Sequence, residues 1–563
     1  MDYPAETRRS SSDKQSLDNK EAKGFANSNG DPMVLKTQSI DQTDGIIDVN
    51  ELSQVLDEAE IEAAGQGKGT SLYLWALTAF SAIGGFLFGY DTGTISSVLV
   101  VIGRDLDNRV LSDGDKEFVT SALTVGAIVA SLFIGLVGDK FGRKWALLFC
   151  DIVFLVGVII QAACHQKMVM AVGRLIMGLG VGGAAQLVPV YIQEIAPAKH
   201  RGRLAVLNSI AITGGQVIAY AFGAAFANVT HGWRYIIAIG GVPPIFQAIG
   251  IHFFMPESPR HLVKSGHYDE AEAALTKMYP VATPQEIEAK VMVMKRHIEI
   301  DDIGTVRKVK LLWTDVPTRR AVFICGALLF AQQLSGFNSL MYFSGTLFAA
   351  AGLNNPTATG LIISGTNCLF TFVTAGFVDR FGRRRLLLIT MPLVILFLSV
   401  TAVIFYVMLR PTDQQLLSGF PYPGYQTSLM LVFMVFYVAS YATGLGAVPW
   451  LHGEFFGTQT RMVGTSISTA CAWSGNLIIS STFLKTMTAI TPSGAFGLYA
   501  GLTFMFLIMV YFLYPETAML SLEEVRSTLD GGFNVKKSLK VRREKLDLWK
   551  KQQAEQKERA QSA

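Results

Sequence analysis

The sequence predicts an all-α membrane protein of twelve transmembrane helices, arranged as two pseudo-symmetric bundles of six with short cytoplasmic helices between them. Three observations predict it. Of the 563 residues, 50% are hydrophobic and only 16% are charged, where a soluble domain of this length carries about a quarter. The apolar residues fall in long blocks such as "WALLFCDIVFLVGVIIQAA", and roughly 20 apolar residues make a helix that crosses the hydrocarbon. Finally, the loop Asp139-Lys140-Phe141-Gly142-Arg143-Lys144 returns as Asp379-Arg380-Phe381-Gly382-Arg383-Arg384. Two such copies at matching places mark a duplicated six-span unit, a plan that holds a solute near the midplane between repeats.

Each element follows in order. Residues 1–70 are polar, acidic on balance and rich in Ser, Asp and Gln. They bury too little apolar surface to fold and are expected to be a disordered cytoplasmic tail, with a short helix available at 51–63. No cleavable signal peptide is expected, so the first span serves as the insertion signal. The first half, 71–255, holds spans near 74–102, 117–138, 145–164, 169–192, 204–228 and 233–254. A polar linker, 256–319, contains helix-like patches such as "YDEAEAALTKMY". The second half, 320–515, holds spans near 320–350, 358–379, 386–408, 427–455, 463–488 and 494–514. A basic tail, 516–563, closes the chain and is read as solvated.

Lys and Arg set the orientation. The basic loops 139–144, 199–203, 256–319 and 380–385 and the C-terminal tail belong in the cytoplasm. An even number of spans then leaves both termini there, and the plasma membrane is the expected location. The net charge of +4 gives no reason to expect a nucleic-acid partner. The five cysteines lie in apolar stretches without paired spacing and read as buried thiols. There is no phosphate-binding loop, no His/Cys metal spacing and no nucleophile elbow. An enzyme, a metal and a cofactor are therefore not expected. "GLGVGG" at 178–183 lies inside an apolar helix with no strand before it, so close helix packing explains it better than dinucleotide binding.

Further motifs carry a family resemblance. They are Gly89-Tyr90-Asp91, Gly173-Arg174-Leu175 with Gly178-Leu179-Gly180, Tyr191-Ile192-Gln193-Glu194 leading to Arg201-Gly202, Pro256-Glu257-Ser258-Pro259-Arg260, Gln332-Gln333-Leu334-Ser335-Gly336-Phe337-Asn338, Pro449-Trp450 and Pro515-Glu516-Thr517. As a set over roughly 70–530 they resemble the sugar porters of the major facilitator superfamily. Ala518-Met519 departs from the usual ending of the last motif. The segment "RGRLAVLNSIAITGGQVIAYAFGA" at 201–224 looks most like fungal myo-inositol/proton symporters. The resemblance implies a secondary active importer of a polyol, working as a monomer in the bilayer by alternating access with the proton as coupling ion. A hexose or pentose carrier, proton-coupled or facilitative, is the alternative within the class. A non-transporting nutrient sensor is the alternative outside it, and the short C-terminal tail argues against that.

Asp91 is the most informative residue. A carboxylate amid an apolar helix costs about 3 kcal/mol, so a function is expected of it. Symporters of the family carry an acid and an arginine at these two motif positions, which implies that Asp91 and Arg174 form the proton switch. The solute contacts are expected to be neutral hydrogen bonders, because an amide both donates and accepts without a charge to desolvate. Gln332, Gln333 and Asn338 in span seven, Asn367 in span eight, Asn476 in span eleven and Gln216 in span five are the candidates, read on intact helices. Trp450 and Trp473 offer ring faces. Ser209 and Ala472 stand where hexose carriers of the family usually hold amides, which favours inositol.

Asp139, Arg143, Glu194, Arg201, Asp379, Arg383, Glu454 and Arg461 lie at cytoplasmic helix ends and are expected to form gating ion pairs between the halves. Lys144 and Arg384 read as topology signals and snorkelling surface charge. Asp151, two turns into span three, reads as a polar contact rather than a second proton site. His165 reads as interfacial. The sequon Asn228-Val229-Thr230 lies too near the membrane for glycosylation.

Overall fold

The computed structural model describes residues 71–196, 201–301, 304–353, 355–457, 459–520 and 522–562. The expected disordered tail and the helix at 51–63 lie outside them. Span one is Leu72–Val101, span two Asp113–Phe141, span three Arg143–Ala163, span four Lys167–Ile195 and span five Arg201–Ala225. Span six is two helices, Gly232–Ile239 and Val242–Phe253, and span seven is Val316–Leu334 followed by Phe337–Ala350. Spans eight and nine are Pro356–Phe381 and Arg383–Met408. Span ten runs from Gly424 to Thr443 and continues as a 3-10 segment, Val448–Phe455; spans eleven and twelve are Arg461–Ala489 and Thr491–Leu513. By length and composition eleven of these are apolar enough to cross a membrane. The twelfth is span eleven. Its 29 residues are long enough, but Ser, Thr and Asn recur along its buried face.

Three spans expected to be continuous are broken, each for a local reason. In span six, Gly240 and Gly241 precede Pro243 and Pro244, and proline supplies no main-chain donor. In span ten, Gly444 and Gly446 precede Pro449. In span seven the break falls at Ser335-Gly336, where Gly336 has φ +83° and a Cβ would sit 2.6 Å from the Tyr499 ring. That left-handed conformation, with so little room for a side chain, favours glycine. We expect Gly336→Ala to lower the thermal stability of the detergent-solubilised protein by about 1–3 kcal/mol, read as a fall in Tm. An unchanged Tm would show that the break tolerates a side chain.

Four short helices, Pro259–Lys264, Tyr268–Met278, Pro284–Asp301 and Thr305–Thr314, follow the first half. The end of the second is tied to that half: the Ser71 hydroxyl donates to the Met278 carbonyl at 3.0 Å, and Tyr279 donates to the Ile195 carbonyl at 2.9 Å. The basic tail, expected to be solvated, forms helices Leu522–Asp530 and Val535–Ser562. Ser538 is fully buried and accepts the Glu516 N–H at 3.0 Å, and Arg542 pairs with Glu516 at 3.4 Å. Large apolar side chains such as Phe133, Ile159, Phe253, Leu369 and Phe512 remain exposed, as a lipid-facing exterior requires.

Candidate functional site

The duplicated loop builds the same clasp twice. After span two, Gly142 has φ +95° and opens span three. The Glu257 carboxylate accepts the Arg143 N–H at 2.7 Å and the Lys144 N–H at 3.1 Å, satisfying donors that a helix start leaves free. Arg143 bonds Asp139 at 2.8 Å and Glu194 at 2.9 Å, and the Ser258 hydroxyl closes the ring on Glu194 at 2.6 Å. In the second half Gly382 has φ +87°, Glu516 accepts the Arg383 N–H at 2.8 Å, Arg383 bonds Glu454 at 2.9 Å, and the Thr517 hydroxyl bonds Glu454 at 2.7 Å. A Cβ at either glycine would run into the clasp carboxylate. Arg143 and Arg383, expected to pair across the halves, each meet the glutamate of their own repeat. The side chains of Arg201 and Asp379 lie outside the described residues, and Arg461 is half-buried at the start of span eleven. Arg384 is buried rather than snorkelling, donating to the carbonyls of Val510 and Tyr511. Lys144 makes the matching bond to His252 at 3.1 Å.

Asp91 and Arg174 meet as expected. Two parallel hydrogen bonds, 2.9 and 3.1 Å, join the guanidinium of span four to the carboxylate of span one. The side chains are 2% and 1% exposed, so neither charge reaches water. A buried pair of this kind is held by geometry, and removing one partner strands the other charge. Asp151 differs. It is buried in span three, and its Oδ2 has no hydrogen-bond partner, so that oxygen makes no polar contact of the kind expected.

The amides gather in the second half, with Gln333 as their hub. Its Oε1 accepts from Asn338 and, at 3.0 Å, from Asn476 of span eleven. Span seven is broken between Gln333 and Asn338, so they face each other across the break rather than lining one helix. Gln332 is committed to bracing: its amide nitrogen donates to the carbonyls of Leu445 and Gly446, both at 2.9 Å, where span ten unwinds. Asn367 donates to Gln216 at 2.8 Å, joining span eight to span five across the halves. Trp473 stacks edge-on against Phe88, ring centroids 5.1 Å apart, and its indole N–H is buried without a partner. Trp450 and Ser209 are half-buried.

Sequence reasoning missed the tyrosines. Tyr342 donates to Asn476 at 3.3 Å. Tyr220 of span five bonds Ser344 at 2.7 Å, and Ser344 bonds Ser96 of span one at 3.1 Å. The signal was available, since Tyr342 and Ser344 follow Asn338 at one and nearly two helical turns.

This architecture matches the family described as sugar (and other) transporter over residues 77–529. The chain belongs to the sugar transporter family. It is a multi-pass membrane transporter, not an enzyme. Among its relatives in the family, Myo-inositol transporter 1 of Cryptococcus neoformans is 46% identical over 495 residues, covering 87% of each chain. Myo-inositol transporter 1 of Saccharomyces cerevisiae is 41% identical over 477 residues, covering 83% of this chain and 81% of that one. Among solved sugar transporters, the proton:xylose symporter XylE bound to 6-bromo-6-deoxy-D-glucose superimposes with a TM-score of 0.68 at 24% identity, covering 81% of this chain and 99% of that one.

Proposed function

We propose that this transporter imports myo-inositol by proton symport through alternating access, as a monomer in the plasma membrane with both termini cytoplasmic. The observation that carries the reading is the fully buried Asp91–Arg174 pair, together with a buried cluster of neutral amides. The names of its family relatives support the substrate. A proton arriving from outside neutralises Asp91 and releases Arg174. The freed contact between spans one and four lets the first half close on the solute, and the pair re-forms when the proton leaves inside. At about 100 mV and one pH unit a proton supplies about 3.7 kcal/mol, enough for accumulation of several hundredfold. Gln333, Asn338, Asn476, Asn367 and Gln216 exchange bonds among themselves for bonds to hydroxyls, and Trp473 offers its N–H and its ring. Tyr342, bonded to Asn476, adds a hydroxyl to this cluster. No cofactor beyond the proton is needed.

The test is uptake of labelled myo-inositol into cells that lack their own carrier, with glucose and xylose as competitors and with a protonophore. We expect inositol uptake that excess hexose leaves mostly intact and that the protonophore reduces to equilibration. Glucose or xylose uptake exceeding inositol uptake would contradict the substrate. Accumulation that ignores the protonophore would contradict the coupling.

A further inference from the structure

Span eleven is the helix too polar to count among the apolar spans, and its polar residues are used at both ends. In its first three turns, Thr465 and Thr469 meet Gln186 of span four. The Gln186 amide nitrogen donates to the Thr465 hydroxyl at 2.8 Å, and its oxygen accepts from Thr469 at 2.9 Å. Gln186 is 3% exposed, so both functions of the amide are satisfied across the two halves with no water to replace them. Near the other end, the Lys485 main-chain N–H donates to Glu117 of span two at 3.0 Å, and its ammonium lies 3.6 Å from the other carboxylate oxygen. Glu117 is 1% exposed. Twenty residues separate Thr465 from Lys485, about 30 Å of helix. Between them lie Trp473 and Asn476, which belong to the candidate solute site.

We propose that span eleven carries two opposing latches. Gln186 with Thr465 and Thr469 holds the cytoplasmic side shut, and Glu117 with Lys485 holds the outer side shut. The assignment of sides rests on the orientation given above. Both latches are closed here. When the halves rock about their middle, opening one side must break that side's latch and leave the other intact. The two differ in chemistry. The inner latch is neutral and gives up two ordinary hydrogen bonds, whereas the outer one uncovers a carboxylate that water can then solvate. Because one helix bears both latches and the solute contacts between them, a solute bound at Trp473 and Asn476 acts on both.

The test uses the full chain with Gln193, which borders the inner seam beside Gly453, replaced by Cys. Labelling from the cytoplasmic side by a membrane-impermeant thiol reagent then reports inner opening without any substrate, measured against the same chain lacking that cysteine. We expect Gln186→Leu to raise the labelling rate about tenfold, the loss of two hydrogen bonds of ordinary strength, and Thr469→Val to raise it less. Thr469→Ser, which keeps the hydroxyl, should label like the parent. Glu117→Leu should lower the rate, and the Gln186→Leu/Glu117→Leu double variant should return it toward the parent value. Myo-inositol half-saturation in membrane vesicles of both orientations should move in step, rising on the outer face in Gln186→Leu and falling there in Glu117→Leu. Labelling unmoved by either change, or moved the same way by both, would overturn the latches. Vesicles that carry no myo-inositol while labelling responds as described would overturn the proposed substrate and leave the latches standing.

Discussion

Asp91→Asn is expected to abolish concentrative uptake while sparing solute exchange. The asparagine keeps the shape and one acceptor but cannot take up or release a proton, so the cycle loses its driving force. Accumulation should fall from several hundredfold to about onefold, measured as the inside-to-outside ratio of labelled myo-inositol with a pH gradient imposed. Exchange between labelled inside and unlabelled outside solute should persist, because it needs rocking of the loaded carrier but no net proton movement. A variant that still accumulates would assign coupling elsewhere, with buried Asp151, whose Oδ2 has no hydrogen-bond partner, as the first place to look. Arg174→Ala should behave in the same way: an unpaired buried carboxylate costs about 3–5 kcal/mol, so Asp91 would stay protonated, concentrative uptake would fail and solute exchange would persist.

Gln333→Ala should have the next largest effect, and on a different step. Gln333 accepts from both Asn338 and Asn476 and donates to Gln332 at 3.3 Å. Truncation removes one solute contact and leaves two buried amides short of an acceptor, each at about 1–3 kcal/mol. Uptake efficiency should drop by at least about a hundredfold, mostly through half-saturation, with proton coupling of the residual flux intact. Asn338→Ala or Asn476→Ala removes one branch only and should cost less. A Gln333→Ala transporter with normal half-saturation would place the solute elsewhere.

Much of the fold was legible because it rests on composition and repetition. Apolar blocks fix the spans, and Asp139-Lys140-Phe141-Gly142-Arg143 against Asp379-Arg380-Phe381-Gly382-Arg383 fixes the duplication. The Asp91–Arg174 pair was legible because a charge inside an apolar helix must find a partner. The Arg143–Glu194 and Arg383–Glu454 pairs lie within the halves rather than across them, for a physical reason. Sequence gives the signs of the charges at the helix ends but not which glutamate each arginine faces, and Ser258 and Thr517 steer Glu194 and Glu454 to their own halves. The intact-helix reading of span seven failed at one residue, Gly336, whose positive φ turns Asn338 toward Gln333. Gln186 and Glu117 escaped notice because an isolated amide or a carboxylate at a helix start is ordinary. Only the partners on the opposite half make them distinctive.

The central claim is that solute and proton move together through Asp91, and it is tested most directly by watching the proton. The purified chain is reconstituted into liposomes holding a pH-sensitive dye, with no gradient of pH or potential, and myo-inositol is added outside. The account predicts that the lumen acidifies as inositol enters, that glucose produces little change, and that Asp91→Asn liposomes show none. Inositol entering with no acidification, or acidification that survives in Asp91→Asn, would contradict it.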